Sequence, residues 1–326
     1  MPHDIDDHDP ATLDNHGLIP GGHRPGDLIA GELPYEVIVA DGDHTPWIPT
    51  DEPQSVPGVS GTERFNCVTQ AHHNAIENQM NRDIAKGRMP QTHYAWLLSN
   101  GYLDDFGKVN FSERFNSIRN GTMWSNPDPT KNGNWVNKVC EDGKKSSGLI
   151  PARMLPDIPS MQNTQYYDPT VITQEMINLG REFLQYFDLP YGWVGSTRTD
   201  VIFHLLQAPL MVTRPGHEIV GLKDKTSLIL KINDSYKPFV KDLNYTSVMD
   251  VMKVLVQYLI KKEGIIMVFH KVKGSPAIWQ AINGVWVGFA DSGAFDRFTA
   301  GHTFVVLEID QAEFNKIPKS TEVIKT

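Results

Sequence analysis

A chain of 326 residues, 40% of them hydrophobic, can bury one large core or two smaller ones. Its 30 Lys and Arg against 39 Asp and Glu give a net charge of −9 with no basic run, which excludes nucleic acid as the main partner. No stretch is apolar for long enough to cross a bilayer, and the start Met-Pro-His-Asp-Ile-Asp-Asp lacks the basic and apolar regions of a secretory signal, so neither a membrane span nor export is expected.

Residues 1–33 are rich in Asp, His, Pro and Gly and read as a flexible tail. The acidic cluster Asp4, Asp6, Asp7 and Asp9 with His8 repeats no ligand spacing, so it reads as solvated. Tyr35 to Ala40 reads as a strand, turned by Asp41-Gly42-Asp43. In the stretch Gly61 to Met80 and just beyond, Val68, Ala71, Ala75, Ile76, Met80 and Ile84 recur along one face of a helix. Cys67 stands at its entry, after the candidate caps Ser60, Thr62 and Asn66. Further helices are expected over Thr92–Leu98, Phe111–Ile118, Asn134–Asp142, Ile172–Phe187 and Val201–Gln207. The polar loop 120–134 lacks the ligand spacing of an EF-hand.

The second half changes character. Leu210–Thr213, His217–Leu222 and Leu228–Ile232 read as strands, with Asp224 and Lys225 turning a hairpin between the last two. Met252 to Ile260 alternates at Val254, Val256, Tyr258 and Ile260, which favours a strand. Helices followed by antiparallel strands make an α+β class over residues 34–263. Residues 264–326 read as a small β-rich module with strands at Ile265–Lys271, Ala277–Ala281, Val285–Phe289 and Thr303–Ile309. Asn283-Gly284 is its hairpin signal, and Ser292 would cap a short helix through Phe298.

Cysteine at a helix N-terminus sits in the positive end of the macrodipole, which favours the nucleophilic thiolate. Only Cys67 and Cys140 are available, too few for a disulfide framework. A lone cysteine is ordinarily a buried apolar group, so the assignment of Cys67 needs partners. His217 in Pro-Gly-His-Glu-Ile-Val and Asp234 in Ile-Asn-Asp-Ser-Tyr supply a base and its orienting carboxylate. The hairpin between them would set the two side by side. His72 and His73 follow Cys67, but no second Cys or spaced His pair completes a zinc site, and no cofactor is expected.

Gly-His-Glu-Ile-Val-Gly-Leu followed by Ile-Asn-Asp-Ser-Tyr resembles the papain-like cysteine peptidase pattern, in which a His-Ala-Val strand precedes Asn-Ser-Trp. In that register Asp234, rather than Asn233, takes the orienting position. The long separation of Cys67 from His217 also fits that family. The resemblance spans about residues 35–260. It implies a two-lobe papain-like fold, a thiol hydrolase acting on peptides or proteins, and Gln54 as a side-chain donor to the oxyanion beside the Cys67 N–H. The order Asp-Gly-Asp, Trp-Ile-Pro, Glu-Pro-Gln, Cys-Val-Thr, Asn-Ala-Ile-Glu and Phe-Ser-Glu-Arg-Phe is similar to papain-fold proteins of tailed bacteriophages. That implies a virion or the host cytoplasm as location, with residues 264–326 contacting a virion or cell-surface partner. The chain departs from papain in having Phe-Asn-Cys-Val-Thr around the cysteine and a more distant glutamine. Two other readings fit the same order of Cys, His and Asp. One is a catalytically silent structural or attachment protein, the other a transglutaminase-like acyl transferase.

Overall fold

A buried helix, α1 (Cys67–Ala85), organises the structure, a computed structural model that describes residues 18–19, 36–50, 53–54, 60–158, 160–226, 228–259, 267–273, 277–282, 285–289, 304–309, 311–315 and 319–324. Val68, Ala71, Ala75, Ile76 and Met80 are buried along the expected face. Enclosure does not stop there, because Glu77, Asn78, Gln79 and Asn81 are buried as well. Each of these polar side chains meets a backbone group of the segments around the helix, which offsets part of the cost of burying it, although Asn78 Oδ1 and Asn81 Nδ2 have no partner among the described residues. Glu77 accepts the Phe111 N–H at 2.7 Å and Asn81 accepts the Val109 N–H at 2.8 Å. Asn78 and Gln79 donate to the carbonyls of His44 and Val254, each at 2.9 Å. The helix therefore anchors the loops around it as well as the core.

The helices expected between residues 92 and 207 form, within a few residues of their expected ends: α2 (Gln91–Ser99), α3 (Glu113–Arg119), α4 (Val136–Asp142), α6 (Gln174–Tyr186) and α7 (Arg198–Leu205), with a single turn, α5 (Asn163–Tyr166), that was not expected. Ser112, Thr173 and Thr197 cap α3, α6 and α7 by accepting a backbone N–H of the first turn. After α4 the chain passes directly beneath α6 at a contact between two glycines. Gly148 has φ +60°, and a Cβ there would lie 1.8 Å from the Gly180 carbonyl oxygen. Gly148→Ala combines left-handed strain with a backbone clash, so it should lower unfolding free energy by about 3 kcal/mol. A urea midpoint that falls at unchanged slope would register this loss.

The first of two units ends at Leu259. Its main sheet is wholly antiparallel and comprises β2 (Tyr191–Val194), β3 (Leu210–Arg214), β4 (His217–Thr226), β5 (Ile229–Asn233), β6 (Val240–Asn244) and β7 (Asp250–Val254), in the order β2-β7-β3-β4-β5-β6. Strand alternation divides its side chains between two cores. Met211, Val220, Leu222, Met252 and Val254 pack in the core that holds α1. Leu210, Val212, Ile219 and Val251 pack with Val201 and Leu205 of α7. A separate pair, β1 (Phe187–Asp188) with β8 (Gln257–Tyr258), lies beside it. The class is α+β, a helical lobe followed by an antiparallel β lobe, as expected.

Three details differ from expectation. Residues 36–40 form no strand: the N–H groups of Ile38 and Val39 both go to the Leu206 carbonyl, so no ladder exists. Asp224 and Lys225 do not turn the hairpin; they continue β4 to Thr226 through two bulges, and Arg198 of α7 pairs with Asp224. The alternating run after Met252 breaks at Leu255 and Val256, whose N–H groups bond Pro190 and Gln79 instead of a strand.

The second unit, Ile260–Thr326, holds β9 (Met267–Val272), β10 (Ile278–Ile282), β11 (Val285–Phe289), β12 (Phe304–Ile309), the turn α8 (Gln311–Phe314) and β13 (Lys319–Ile324). The sheet order is β12-β9-β10-β11-β13, parallel at both edge pairs. Trp279 packs against Phe314 with ring centres 5.1 Å apart. The Asn283-Gly284 turn, the Ser292 helix and the tail apart from Leu18 and Ile19 lie outside the described residues. Among those residues no helix is long and apolar enough to cross a membrane.

Candidate active site

Local sequence explains where His217 sits. Arg214 and His217 are opposed in the β3–β4 ladder, leaving Pro215-Gly216 as a two-residue turn. Proline presets the first turn position, and Gly216, with φ +69°, takes the left-handed second one. His217 thus opens β4. Asp234 directly follows β5, the antiparallel neighbour of β4, so the sheet brings the two together. Its Oδ1 accepts from His217 Nε2 at 2.7 Å. A carboxylate can only accept, so Nε2 carries the hydrogen and Nδ1 is the basic nitrogen. Asn233 remains in the ladder, opposite Val220 and Val240.

Asp234 is buried yet surrounded by positive groups. Its Oδ2 lies 3.3 Å from Lys241 Nζ and 3.6 Å from the Arg214 guanidinium. Burial pushes its pKa up, but His217, Lys241 and Arg214 outweigh that and hold it well below the usual carboxylate range. His217 is pulled the other way. Burial lowers its pKa, and Asp234 only partly restores it.

Cys67 reaches the same place from the helical lobe. Thr213 and Glu218 are directly opposed, one pair along from the turn, with Thr213 Oγ1 donating to Glu218 Oε2 at 2.7 Å. In an antiparallel ladder such a pair next to a hydrogen-bonded one points its N–H groups outward. The β4–β5 pairing begins only at Val220, so β5 does not take the Glu218 N–H. That N–H goes to Cys67 Sγ at 3.4 Å. The thiol therefore touches the residue next to His217.

The ionisation state of that thiol corrects a simple expectation. The helix N-terminus favours thiolate, but Cys67 is 0% exposed. Burial drives its pKa well above the ordinary value; the Glu218 N–H opposes this, and the carboxyls of Glu218, Glu63 and Asp234 add to it. Enclosed in this way, Cys67 is a neutral thiol against the backbone N–H of the residue that follows His217. Cys140, also 0% exposed, sits against Met211 Sδ at 3.9 Å, and Met211 is opposite Val220 in the β3–β4 ladder.

Gln54 is tied to both halves of the site. Its backbone N–H donates to the Ser235 carbonyl at 3.1 Å, and its carbonyl accepts the Arg64 N–H at 3.2 Å. Its side-chain Oε1 accepts from Ser235 Oγ at 2.9 Å, and Nε2 donates to Glu63 Oε1 at 2.5 Å. One amide hydrogen is thus committed to Glu63. The four residues singled out from sequence converge, each touching the next or its chain neighbour.

Three residues of the site were not anticipated. Tyr236 lies over His217 with ring centres 5.3 Å apart and donates its hydroxyl to Glu63 Oε2 at 2.6 Å. Glu63 had no distinguishing signal in the sequence. Glu218 had one: on a strand its side chain shares a face with Val220 and Leu222, which marks a buried carboxyl. Its pKa is pushed up to about 8 by burial, with the Thr213 hydroxyl lowering it and Asp250 raising it. Among the described residues no group of three or more His, Cys, Asp or Glu could hold a metal ion, and His73 Nδ1 lies 3.3 Å from Glu113 instead.

No family model matches the sequence, and no curated protein does. Solved structures do resemble it. The Amb a 11 cysteine protease of ragweed pollen, in its proform, is 12% identical, with 72% of this chain and 71% of that one covered and a TM-score of 0.44. A digestive procathepsin L2 proteinase from the larval midgut of Tenebrio molitor is 11% identical, with 74% and 78% covered and the same TM-score. A structure from work on the mite allergens Blo t 1 and Der p 1 is also 11% identical, with 77% and 83% covered at 0.44.

Proposed function

We propose that the chain is a papain-like cysteine hydrolase acting on peptide bonds. The observation that carries this reading is the buried His217–Asp234 pair at 2.7 Å with the Cys67 thiol against the next residue, Glu218. Cys67 Sγ attacks the substrate carbonyl while its proton passes to His217 Nδ1. Asp234 stabilises the imidazolium that forms. The Cys67 N–H and the Gln54 amide face the oxyanion of the tetrahedral intermediate. Collapse releases the amine, which takes the proton from His217, and leaves a thioester. Water then attacks the thioester with His217 as base, restoring the thiol and releasing the acid. Because Cys67 is neutral at rest, proton transfer accompanies attack. The sequence resemblance to phage-encoded papain-fold proteins adds a virion-associated setting to the proposal, with residues 264–326 as the attachment module.

Competitive alkylation tests the reading. With iodoacetamide and peptide mass spectrometry, Cys67 should label at least about tenfold faster than Cys140, because in this reading His217 serves Cys67 as its base. His217→Ala should remove that advantage. Equal, slow labelling of both thiols in the unaltered protein would favour a silent structural role. Incorporation of a primary amine into a glutamine substrate would favour the acyl transferase.

A further inference from the structure

The carboxylate of Glu63 binds the two halves of the site together. Its Oε1 accepts from Gln54 Nε2 at 2.5 Å and from the Phe65 N–H at 3.1 Å. Its Oε2 accepts from the Tyr236 hydroxyl at 2.6 Å. The Phe65 contact lies two residues before the nucleophile. Phe65 has φ +51°, a left-handed conformation that bulky residues avoid, and among the described residues no other non-glycine has a positive φ. Such a conformation persists only where its surroundings impose it. The bond from Phe65 N–H to Glu63 does so, and it sets the direction in which the chain enters α1 at Cys67. The Tyr236 contact lies two residues after Asp234. Tyr236 covers the His217 ring, and its backbone N–H bonds Asp234 Oδ1 at 3.1 Å. One side chain thus reaches the nucleophile through Phe65, the base through Tyr236, and the oxyanion donor through Gln54.

We infer that Glu63 is a positioning residue, a clamp that holds Cys67 in register with His217. This rests on the hydrolase reading and deepens it. Glu63 touches no reacting atom, so it acts only through these three partners. A clamp and a bystander charge predict opposite signs. The Glu63 charge raises the Cys67 pKa. Glu63→Gln therefore makes a thiol with an undisturbed base more acidic and faster to alkylate. Loss of register makes it slower, because the imidazole no longer meets the thiol. Tyr236→Phe cuts the tie; losing its hydroxyl raises the Glu63 pKa and so weakens the charge facing Cys67, which leaves slower labelling without an electrostatic cause.

The experiment is the pH profile of Cys67 alkylation by iodoacetamide in the full chain, with Cys140 labelling in the same samples as the reporter of folding. Four proteins are compared: unaltered, His217→Ala, Glu63→Gln and Tyr236→Phe. The clamp predicts about tenfold slower Cys67 labelling in both Glu63→Gln and Tyr236→Phe, an alkaline shift of the profile, and Cys140 still protected. Glu63→Gln labelling faster with an acid shift, or Tyr236→Phe labelling as the unaltered protein does, overturns the clamp. If Glu63→Gln exposes Cys140, Tyr236→Phe alone decides by the same criterion. The parent reading fails separately: if His217→Ala leaves Cys67 labelling unchanged, the base assignment is wrong whatever the Glu63 variant does.

Discussion

Exchange of Cys67 for alanine is expected to lower hydrolysis of a denatured, fluorescently labelled protein substrate by about 10⁴-fold or more. Few groups act in the proposed reaction. Covalent catalysis divides amide cleavage into two steps, and the sulfur takes part in both. On the proposed mechanism, His217 and the oxyanion donors without it have only water to work with, which leaves a small residual rate. His217→Ala should fall to a similar level, and the double variant should be no worse than either single one, since the two act as a unit. Cys140→Ala, which changes a thiol packed against Met211, should leave turnover unaltered. Because Cys67 lies in the same core as Val68 and Val220, its truncation also leaves a small cavity, costing about 1 kcal/mol. A urea melt separates that loss from the loss of chemistry. Persistent hydrolysis by Cys67→Ala protein would remove the nucleophile from the proposal. Inactivity of the unaltered protein, with Cys67 labelling no faster than Cys140, would favour the structural alternative.

Much of this architecture was legible because it is local. α1 announces itself by Val68, Ala71, Ala75, Ile76 and Met80, and Pro215-Gly216 dictates the turn that delivers His217. What was not legible depends on partners remote in sequence. β2 and β6 are short, and β6 carries Lys241, Asp242 and Asn244, so no alternation betrays it; it exists because β5 offers an edge. The run at 36–40 has strand composition but no strand to pair with. Asp224 and Lys225 have turn composition, yet Arg198 holds Asp224 within a bulged strand.

The same distinction governs the site. The order of Cys67, His217 and Asp234 is visible along the chain, whereas the burial that reverses the thiolate expectation is not. A helix N-terminus contributes a fraction of a charge, which a fully enclosed sulfur does not recover. The role of Glu63 is still less visible, because it needs Phe65, Gln54 and Tyr236 to be near one another.

Glu218 provides the second large effect, a stability that declines as pH rises. The folded chain keeps this carboxyl neutral: it is 1% exposed, and its pKa is pushed from an ordinary 4.5 up to about 8. The unfolded chain ionises it near the ordinary value. Between those two limits the folded state holds a proton that the unfolded state has lost, so unfolding becomes easier as pH increases, and the effect saturates above the folded pKa. At about 1.4 kcal/mol per unit, the penalty at pH 8 is on the order of 4 kcal/mol. Glu218→Gln removes the ionisation and leaves an oxygen to accept from Thr213 Oγ1. Its amide nitrogen takes the place of an Oε1 that has no partner among the described residues, a cost of about 1–3 kcal/mol at every pH. The variant should therefore be less stable than the unaltered protein near pH 5 and more stable near pH 8. The difference between their unfolding free energies should swing by about 4 kcal/mol across that range. Other groups titrate in both proteins and cancel. Urea melts at several pH values measure the swing directly, and parallel stability curves would show that Glu218 ionises normally in the folded chain. The outcome also bears on Cys67, whose sulfur takes the Glu218 N–H. A charged Glu218 opposes the thiolate, so its neutrality at pH 7 spares the Cys67 sulfur a negative neighbour in the attack proposed for it.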